Sequence, residues 1–254
     1  STNVDFALAL SIFLMALILL VAFNIWVSFF TLGNQVRLRR ILTKFYTPVV
    51  RLLFGRMKSE QHYTKKDISP FFRVNGYPPK SEEYAALKAN NFKDWKLKVY
   101  GLVENPFEMS LEDIKDLRKQ DQITKHNCIQ GWTAVAEWGG LPMRDVVEMC
   151  NPQKGAKYVI FYCYDIDEEG NAYYSGLRLS DMLDKQTILA YEMNGEPLPI
   201  QSGAPRRLRC EKKYGYKMAK YIHSIEFVES FAHIGKGRGG HREDNVFFDW
   251  EASI

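Results

Sequence analysis

Residues 189–199 read LAYEMNGEPLP, followed by GAPRRL at residues 203–208 and YGYKMAK at residues 214–220. The first of these stretches is an apolar run that ends at Asn194-Gly195, a residue pair typical of a tight turn between two strands. Its two prolines then fix an extended exit from the turn. The three stretches together indicate strands joined by loops with a specific shape.

The charge of residues 206–220 is strongly one-sided, with seven basic residues against a single acid, Glu211. A solvated charged surface is one interpretation of such a run. Because prolines, glycines and strand residues are mixed into it, we favour a shaped loop that binds an anion.

Upstream of these stretches a cysteine, Cys128, lies within HNCIQGW at residues 126–132, and WGGLP follows at residues 138–142. A cysteine in a loop flanked by glycine and aromatic residues can lie at the floor of a pocket, where its thiolate binds a soft metal or acts as a nucleophile. Most isolated cysteines are buried small hydrophobic residues instead, which is our interpretation of Cys150. The four cysteines form no CxxC pair, which argues against a zinc ribbon or a disulfide framework.

The composition predicts one folded domain. The chain has 254 residues, of which 46% are hydrophobic and 25% are charged. These values exclude a disordered chain and an all-membrane bundle. Residues 31–66 carry nine Lys and Arg, whereas residues 67–254 carry 25 basic and 28 acidic residues. The folded part therefore lacks the basic surface of a nucleic-acid binder, and we expect no nucleic-acid partner.

An apolar segment precedes the folded part. Residues 4–30 are apolar except for Asp5, Ser11, Asn24 and Ser28. This length suits the hydrocarbon core of a bilayer, so we predict one transmembrane helix within residues 1–33. The basic residues that follow it predict, by the positive-inside rule, an inner-membrane protein with a single span and its folded domain on the cytoplasmic side. Residues 34–66 mix apolar and basic side chains, which predicts an interfacial segment on anionic membrane lipid, with a solvated linker as the alternative.

The remaining residues, 67–254, predict a mixed α+β domain. Strands are expected at residues 95–103, 158–164, 187–193, 206–210 and 221–229. Short helices are expected at residues 81–90, 110–119, 143–149 and 180–183. Residues 68–79 are expected to be irregular. Long crossover helices are missing from this pattern, which argues against a parallel βαβ array.

The cysteine loop, LAYEMNGEPLP, GAPRR and YGYKMAK, in this order, resemble the sulfite oxidase-like molybdopterin oxidoreductase family. The resemblance covers residues 69–231 and is nearest to the small bacterial branch that includes the methionine sulfoxide reductase catalytic subunit. It implies a sulfite oxidase-type molybdopterin-binding domain of mixed sheets with short helices. It also implies a molybdenum-molybdopterin cofactor.

The resemblance assigns the thiolate ligand of molybdenum to Cys128, and soft sulfur suits such a redox metal. It implies that Arg207 and Lys220 bind the pterin phosphate. Further implied pterin contacts are Arg73, Asn75, Cys163, Ser202, Met218 and Ala219. Ser202 stands where relatives often carry Asn or His, and Cys163 stands where the methionine sulfoxide reductase branch has Thr. For Cys163 a core thiol is the alternative.

Tyr174 lies near the position of the active-site tyrosine of sulfite oxidases, so the resemblance makes it a second catalytic candidate beside Cys128. The alternative is a tyrosine that packs across strands. The histidines, including His126, match no ligand role and are expected to be structural. The glycine-rich loop at residues 235–240 is expected to be a mobile loop rather than a phosphate cradle, because no strand-to-helix context surrounds it.

The implied activity is oxygen-atom transfer to or from a small-molecule substrate. Sulfite is disfavoured, because Ile129-Gln130-Gly131 stands where sulfite oxidases carry an arginine, so reduction of an S- or N-oxide is the better expectation. The expected electron partner is a membrane redox subunit, either a b-type cytochrome or a quinone-linked protein. The alternatives are a non-catalytic subunit that retains the fold and a thiol enzyme that uses Cys128 with His126.

Overall fold

A computed structural model of the chain describes residues 2–29, 62–166, 170–246 and 248–254. The chain divides into two units, Ser1–Lys58 and Ser59–Ile254, and each is described by itself. Most of the predicted interfacial segment, residues 34–61, lies outside the described residues.

The first unit contains one helix, α1, over Thr2–Phe29. Large apolar side chains along it are well exposed, from Leu14 at 48% to Ile18 at 67%. No helix among the described residues is both long enough and apolar enough to span a bilayer. The transmembrane helix therefore stays a prediction.

The second unit is a mixed α+β fold, as predicted. Its ten strands are β1 (Lys96–Gly101), β2 (Phe107–Ser110), β3 (Gln120–Asn127), β4 (Thr133–Pro142), β5 (Tyr158–Ile166), β6 (Ala172–Arg178), β7 (Thr187–Met193), β8 (Glu196–Pro197), β9 (Arg207–Cys210) and β10 (Ile222–Val228). Its short helices are α2 (Glu82–Ala89), α3 (Leu111–Asp116), α4 (Met143–Cys150), α5 (Leu179–Met182) and α6 (His241–Asn245).

The strands form two sheets. The first has the order β2-β1-β10-β5-β6, and the second has the order β3-β4-β7-β8 with β9 also paired to β7. The pairing of β1 with β10 is parallel, while the other strand pairs are antiparallel. The sheets are therefore built mainly from hairpins and returning strands rather than from βαβ units.

Local sequence explains several element boundaries. The Ser110 hydroxyl accepts a hydrogen bond from the backbone N–H of Asp113, whose carboxylate accepts one in return from Ser110, and this capping box starts α3. Ser81 caps α2 in a similar way. Asn194 and Gly195 have φ angles of 55° and 81°, the conformation of a type I′ hairpin turn between β7 and β8.

The predicted strands and helices are all present within a few residues of their expected ends. Residues 68–79 form no regular strand or helix in the structure, as expected. The sequence analysis did not identify β2, β3, β4 or β6. In β3 the buried positions alternate but are polar, namely Gln122, Thr124 and His126, so the strand has no apolar face to detect.

The main core lies between residues of the two sheets. Leu97 and Phe161 from the first sheet and Leu141 and Leu208 from the second belong to one buried cluster. A smaller cluster surrounds Trp138 on β4. This second cluster lies beneath the functional residues described below.

The core predicts a clear difference between two phenylalanines. Phe161 is fully buried on β5, whereas Phe71 is 74% exposed. Phe161→Ala is expected to lower the free energy of unfolding by about 3–5 kcal/mol, because it leaves a cavity. Phe71→Ala should change it by about 0.5 kcal/mol or less. Urea denaturation of the full chain measures both, and equal losses would contradict the assigned core.

Candidate active site

Cys128 lies in the turn between β3 and β4. Its N–H donates to the Trp132 carbonyl at 3.0 Å, and its own carbonyl accepts from the N–H of Gly131 at 3.1 Å. The residue is 8% exposed and its thiol is free. Asn75 Nδ2 donates to Cys128 Sγ at 3.0 Å, and the Gln130 N–H approaches the same sulfur at 3.5 Å. Donors aimed at the sulfur complement the negative charge of a metal-bound thiolate.

Asn75 links the cysteine to Lys220. Its carbonyl accepts a hydrogen bond from Lys220 Nζ at 2.8 Å, while its amide holds Cys128. Lys220 Nζ also donates to the Gln201 carbonyl at 3.3 Å. The structure therefore brings together three predicted site residues that are widely separated in the sequence.

Arg207 lies beside Lys220, and the two residues form an isolated antiparallel bridge. Arg207 Nη1 donates to the Ser202 carbonyl at 2.9 Å, and its guanidinium lies 4.9 Å from the centre of the Trp138 ring. Burial, together with the nearby Arg209, lowers the pKa of Arg207 to about 9. Burial and Arg207 lower the pKa of Lys220 to about 8. The two cations are thus held close together with little water.

The other basic residues of the 206–220 run already have partners. Arg209 pairs with Glu211, Lys212 with Asp184, Lys213 with Asp181 and Lys217 with Glu243. Arg206 donates to the carbonyls of Pro205 and Leu111, and its guanidinium lies 4.3 Å from the Tyr191 ring centre. Among the described residues, Arg207 and Lys220 form no ion pair within 4.0 Å. Arg206 also forms no ion pair with any described residue, but its guanidinium lies against the rings of Tyr191 and Trp95. Arg207 and Lys220, which lie side by side, therefore remain as the predicted anion site.

Three observations test whether these residues fit the phosphate of a pterin cofactor. Arg207 Nε is buried and has no hydrogen-bond partner among the described residues. Gly203 has a φ of 116°, and a Cβ there would lie 2.9 Å from Lys220 Cβ and 3.2 Å from Arg207 Cβ. Arg207 is buried and Lys220 is partly buried, and neither forms an ion pair within 4.0 Å among the described residues, so an anion between them would be stabilising. The residues fit the group.

Asp165 is a site neighbour that the sequence analysis missed. Cys163 pairs with Ile222, and the Tyr164 N–H donates to the Tyr221 carbonyl at 3.0 Å. The next step of this ladder places Asp165 beside Lys220. Burial raises the pKa of Asp165 to about 6, although Lys220 opposes the shift. The sequence held no signal for this, because an acid at the end of an apolar run is common.

The remaining predicted pterin contacts differ in their burial and in their contacts with the site residues. Cys163 is buried within the main core, and burial raises the pKa of its thiol well above the usual value. The Lys220 N–H also hydrogen-bonds to this thiol, so Cys163 lies in the core and beside the site, and its pterin contact stays a prediction. Ser202 is buried and contacts Arg207 through its carbonyl. Met218 and Ala219 are buried, and Arg73 is exposed.

His126 has a structural role beneath the site. Its ring lies 5.3 Å from the Trp132 ring centre, and Arg209 Nη1 donates to His126 Nδ1 at 3.0 Å. Glu211 in turn pairs with Arg209 at 2.6 Å. Burial, with help from Arg209, lowers the pKa of His126 to about 2. His126 therefore stays neutral, and its Nδ1 is occupied, which disfavours a thiol enzyme that uses it as a base for Cys128.

Tyr174 makes its described contacts elsewhere. Its hydroxyl donates to Asp244 and to the Ile234 carbonyl, and its pKa is raised by burial and by Asp244. It pairs with Tyr162 across β5 and β6. These contacts fit the packing alternative, and a catalytic role of Tyr174 stays a prediction.

The neighbouring Tyr173, unlike Tyr174, contacts the YGYKMAK stretch. Its hydroxyl donates to the Tyr216 carbonyl at 3.1 Å, in the YGYKMAK stretch, and its ring stacks on His241 with centres 5.1 Å apart. Burial raises its pKa. Tyr173 and Tyr174 are successive residues of β6, so their side chains point to opposite faces of the strand. A resemblance displaced by one residue would therefore name one tyrosine in place of the other.

The glycine-rich loop is not a phosphate cradle, as expected. The N–H groups of Lys236 and Arg238 donate to the Asp244 carboxylate at 2.9 and 3.1 Å. This carboxylate takes the place that an external anion would occupy.

The buried cations predict a pH-dependent affinity for molybdopterin. Because the pKa of Lys220 is about 8 in the protein without cofactor, Lys220 is charged below that pH and loses its proton above it. The dissociation constant, measured by fluorescence titration, should be nearly constant from pH 7 to 8 and rise above pH 8. The dissociation constant rises with pH because the phosphate binds the charged form of Lys220, which burial disfavours.

Lys220→Met should weaken molybdopterin binding by about 10-fold or more, the effect of losing a charged hydrogen bond. It should also flatten the change above pH 8. The exposed Lys154→Met is the matched control and should bind like the unmodified protein. A rise that still begins near pH 8 in Lys220→Met, below the pKa of about 9 of Arg207, would refute the assignment.

Comparison with known proteins shows which family the chain belongs to. The sequence profile described as the oxidoreductase molybdopterin-binding domain matches residues 84–233. The chain is 30% identical over 206 residues to the putative protein-methionine-sulfoxide reductase subunit YedZ1 of Azospira oryzae, covering 81% of this chain and 72% of that protein.

Relatives from Xanthomonas and Campylobacter carry the name protein-methionine-sulfoxide reductase catalytic subunit MsrP. The Xanthomonas campestris protein is 35% identical over 160 residues, covering 59% of this chain and 50% of its own. The Campylobacter jejuni protein is 32% identical over 171 residues, covering 61% and 57%. The chain thus spans little more than half the length of these relatives.

A solved structure shows the same fold. The sulfane dehydrogenase SoxCD from Paracoccus pantotrophus superposes with a TM-score of 0.50 at 19% sequence identity, covering 61% of this chain and 41% of that one. The profile covers more than half of the chain and includes Cys128, Arg207 and Lys220. This chain therefore belongs to the sulfite oxidase-like molybdopterin oxidoreductases, enzymes whose cofactor is molybdenum-molybdopterin.

Proposed function

We propose that this oxidoreductase reduces the S=O bond of a sulfoxide. The reaction consumes two electrons and two protons, breaks the sulfur–oxygen bond, and releases a thioether and water. The molybdenum cofactor supplies the oxygen-atom transfer, and the protein binds and orients it. An N-oxide, reduced with the same balance, is the neighbouring substrate class.

The observation that carries the proposal is the environment of Cys128. Its sulfur is buried, receives hydrogen bonds from Asn75 and Gln130, and is linked through Asn75 to Lys220. In this arrangement Cys128 would hold the metal while Arg207 and Lys220 would hold the phosphate of the pterin. Burial of the cations excludes water from them and strengthens their hold on the phosphate.

The residues after Cys128 favour a neutral substrate over sulfite. Ile129 is 47% exposed next to the cysteine, and Gln130 directs its N–H at the sulfur. No cationic side chain occupies positions 129–131. An apolar side chain at this point suits the alkyl groups of a sulfoxide better than a sulfite dianion. The names of the Azospira, Xanthomonas and Campylobacter relatives support sulfoxide chemistry.

The enzyme needs an electron donor, and we propose a separate membrane redox subunit of the b-type cytochrome or quinone-linked kind. The Xanthomonas and Campylobacter relatives are named catalytic subunits, which supports a partner for this chain as well. We further propose that the apolar residues 4–30 anchor the chain in the inner membrane with the folded unit on the cytoplasmic side. The basic residues that follow this segment support that orientation.

Activity tests the proposed reaction directly. Protein loaded with cofactor and reduced by a viologen dye should reduce methionine sulfoxide and should not oxidise sulfite at a comparable rate. Trimethylamine N-oxide distinguishes the two oxide classes. Cys128→Ser should lose at least about 100-fold in turnover per protein, because an alcohol is a poor replacement for a soft thiolate.

Cys150→Ser is the matched control, since Cys150 is a buried cysteine in α4. It should keep turnover per bound molybdenum. Stoichiometric molybdenum without reduction of any oxide, in the unmodified protein, would instead favour a non-catalytic subunit that retains the cofactor.

A reporter experiment tests the membrane proposal. A fusion of alkaline phosphatase to the C-terminus should be inactive and a fusion of green fluorescent protein should be fluorescent, because the folded unit is expected in the cytoplasm. The protein should also stay with membranes after alkaline carbonate extraction. The reverse reporter pattern would overturn the orientation, and release by carbonate would overturn the anchor.

A further inference from the structure

Residues 211–220 lie between β9 and β10, and we call this segment the cradle loop. It ends in Lys220, whose Nζ donates to the Asn75 carbonyl. Its inner side packs on the site, since a Cβ on Gly215 would lie 2.2 Å from His126 Cε1. A shift of this loop would therefore move Lys220 away from Arg207 and Asn75.

The outer side of the cradle loop is covered by the C-terminal tail, which we define as residues 241–254. The Tyr214 N–H donates to the Ala252 carbonyl at 2.9 Å, and the Ile254 N–H donates to the Lys212 carbonyl at 3.0 Å. Lys213 Nζ donates to the Glu251 carbonyl at 2.8 Å. Backbone contacts thus fix the first half of the loop.

Tyr216 adds aromatic and polar contacts in the middle of the loop. Its ring packs edge to face against Phe248 with centres 4.8 Å apart, and its hydroxyl donates to the Asp249 carbonyl at 2.5 Å. These contacts link the loop to the tail at the residue before Lys217.

Lys217 and Glu243 form a buried ion pair between the loop and the tail. Their side chains are 1% and 4% exposed. Burial lowers the pKa of Lys217 and raises that of Glu243, while each partner counteracts the shift of the other. The Lys217 carbonyl accepts from the Ala219 N–H at 3.1 Å, so the pair holds the backbone three residues before Lys220. Removal of one partner would leave a buried, uncompensated charge.

We propose that Glu243 is a positioning residue for cofactor binding, which acts by holding Lys217 and thereby the cradle loop that presents Lys220. Docking of the tail and binding of molybdopterin then stabilise each other, since coupling between two sites is reciprocal. The tail lies beyond residue 233, where the family profile ends. The proposal depends on the cofactor and not on which oxide the enzyme reduces.

Two adjacent acids of the tail provide a matched test. Glu243 and Asp244 are both 4% exposed, but Asp244 binds Tyr174 and the N–H groups of Lys236 and Arg238 rather than the cradle loop.

Titration of the cofactor-free full chain with molybdopterin should give a dissociation constant about 10-fold higher for Glu243→Gln than for the unmodified protein, within the usual range of coupling energies. Asp244→Asn should stay within about twofold of the unmodified protein, and Glu243→Asp, which keeps the charge, within about threefold. Equal weakening by Glu243→Gln and Asp244→Asn, or none by Glu243→Gln, would refute the proposal.

Amide hydrogen exchange tests the reciprocal effect. Molybdopterin should slow exchange of the Tyr214 and Ile254 amides in the unmodified protein by about 10-fold, because these groups join loop and tail. The slowing should be lost in Glu243→Gln. Identical exchange with and without molybdopterin would overturn the coupling even if affinity changed.

If Glu243→Gln does not fold, Tyr216→Phe replaces it, because this variant removes the bond to the Asp249 carbonyl without changing any charge. It should weaken molybdopterin binding by about threefold, the effect of one neutral hydrogen bond. Unchanged affinity and unchanged exchange in this variant would refute the proposal. Loss of sulfoxide reduction with normal molybdopterin affinity would count against the proposed function and not against this inference.

Discussion

The adjacent charges of Arg207 and Lys220 are the constraint on which the rest of the site depends. Arg207 is buried and Lys220 is partly buried, and neither has an acid within ion-pair distance among the described residues. Carbonyl oxygens of Ser202, Asn75 and Gln201 satisfy part of their hydrogen-bonding capacity. The proposed binding of the anionic cofactor would compensate the remaining cost.

Both sheets contribute to this arrangement. β9 carries Arg207 in the second sheet, while Lys220 lies two residues before β10 of the first. The turn after β3 supplies Cys128, and an irregular segment supplies Asn75 across the same site. The proposed metal ligand and the proposed phosphate ligands thus lie on separate elements, so their relative positions depend on the packing of the main core between the sheets.

The basic residues of the 206–220 run differ in whether they form an ion pair with an acid. Arg209, Lys212, Lys213 and Lys217 have similar chemistry to the two site cations, yet each pairs with an acid. Their partners come from the helices, loops and tail that surround the site. These ion pairs hold the chain around Arg207 and Lys220. Because their charges are already neutralised, they would not compete for the phosphate that Arg207 and Lys220 are proposed to bind.

Sequence motifs predicted the α+β class, half of the ten strands and the family, and they named Cys128, Asn75, Arg207 and Lys220, which the structure brings together. The order of several motifs constrains chemistry even when their spacing in three dimensions is unknown. The same motifs did not reveal the polar strand β3, the proximity of Asp165 to Lys220 or the contacts of Tyr173 with the YGYKMAK stretch. Those features depend on strand register, since a shift of one residue turns a side chain to the opposite face.

The sequence by itself determined which groups carry the charge and the thiol, since these are properties of residue types. Only the tertiary structure decided which cations keep their charge free for a ligand. Ion pairing falls off with distance, and the distances between Lys217 and Glu243, or between Lys212 and Asp184, are set by how distant parts of the chain pack together.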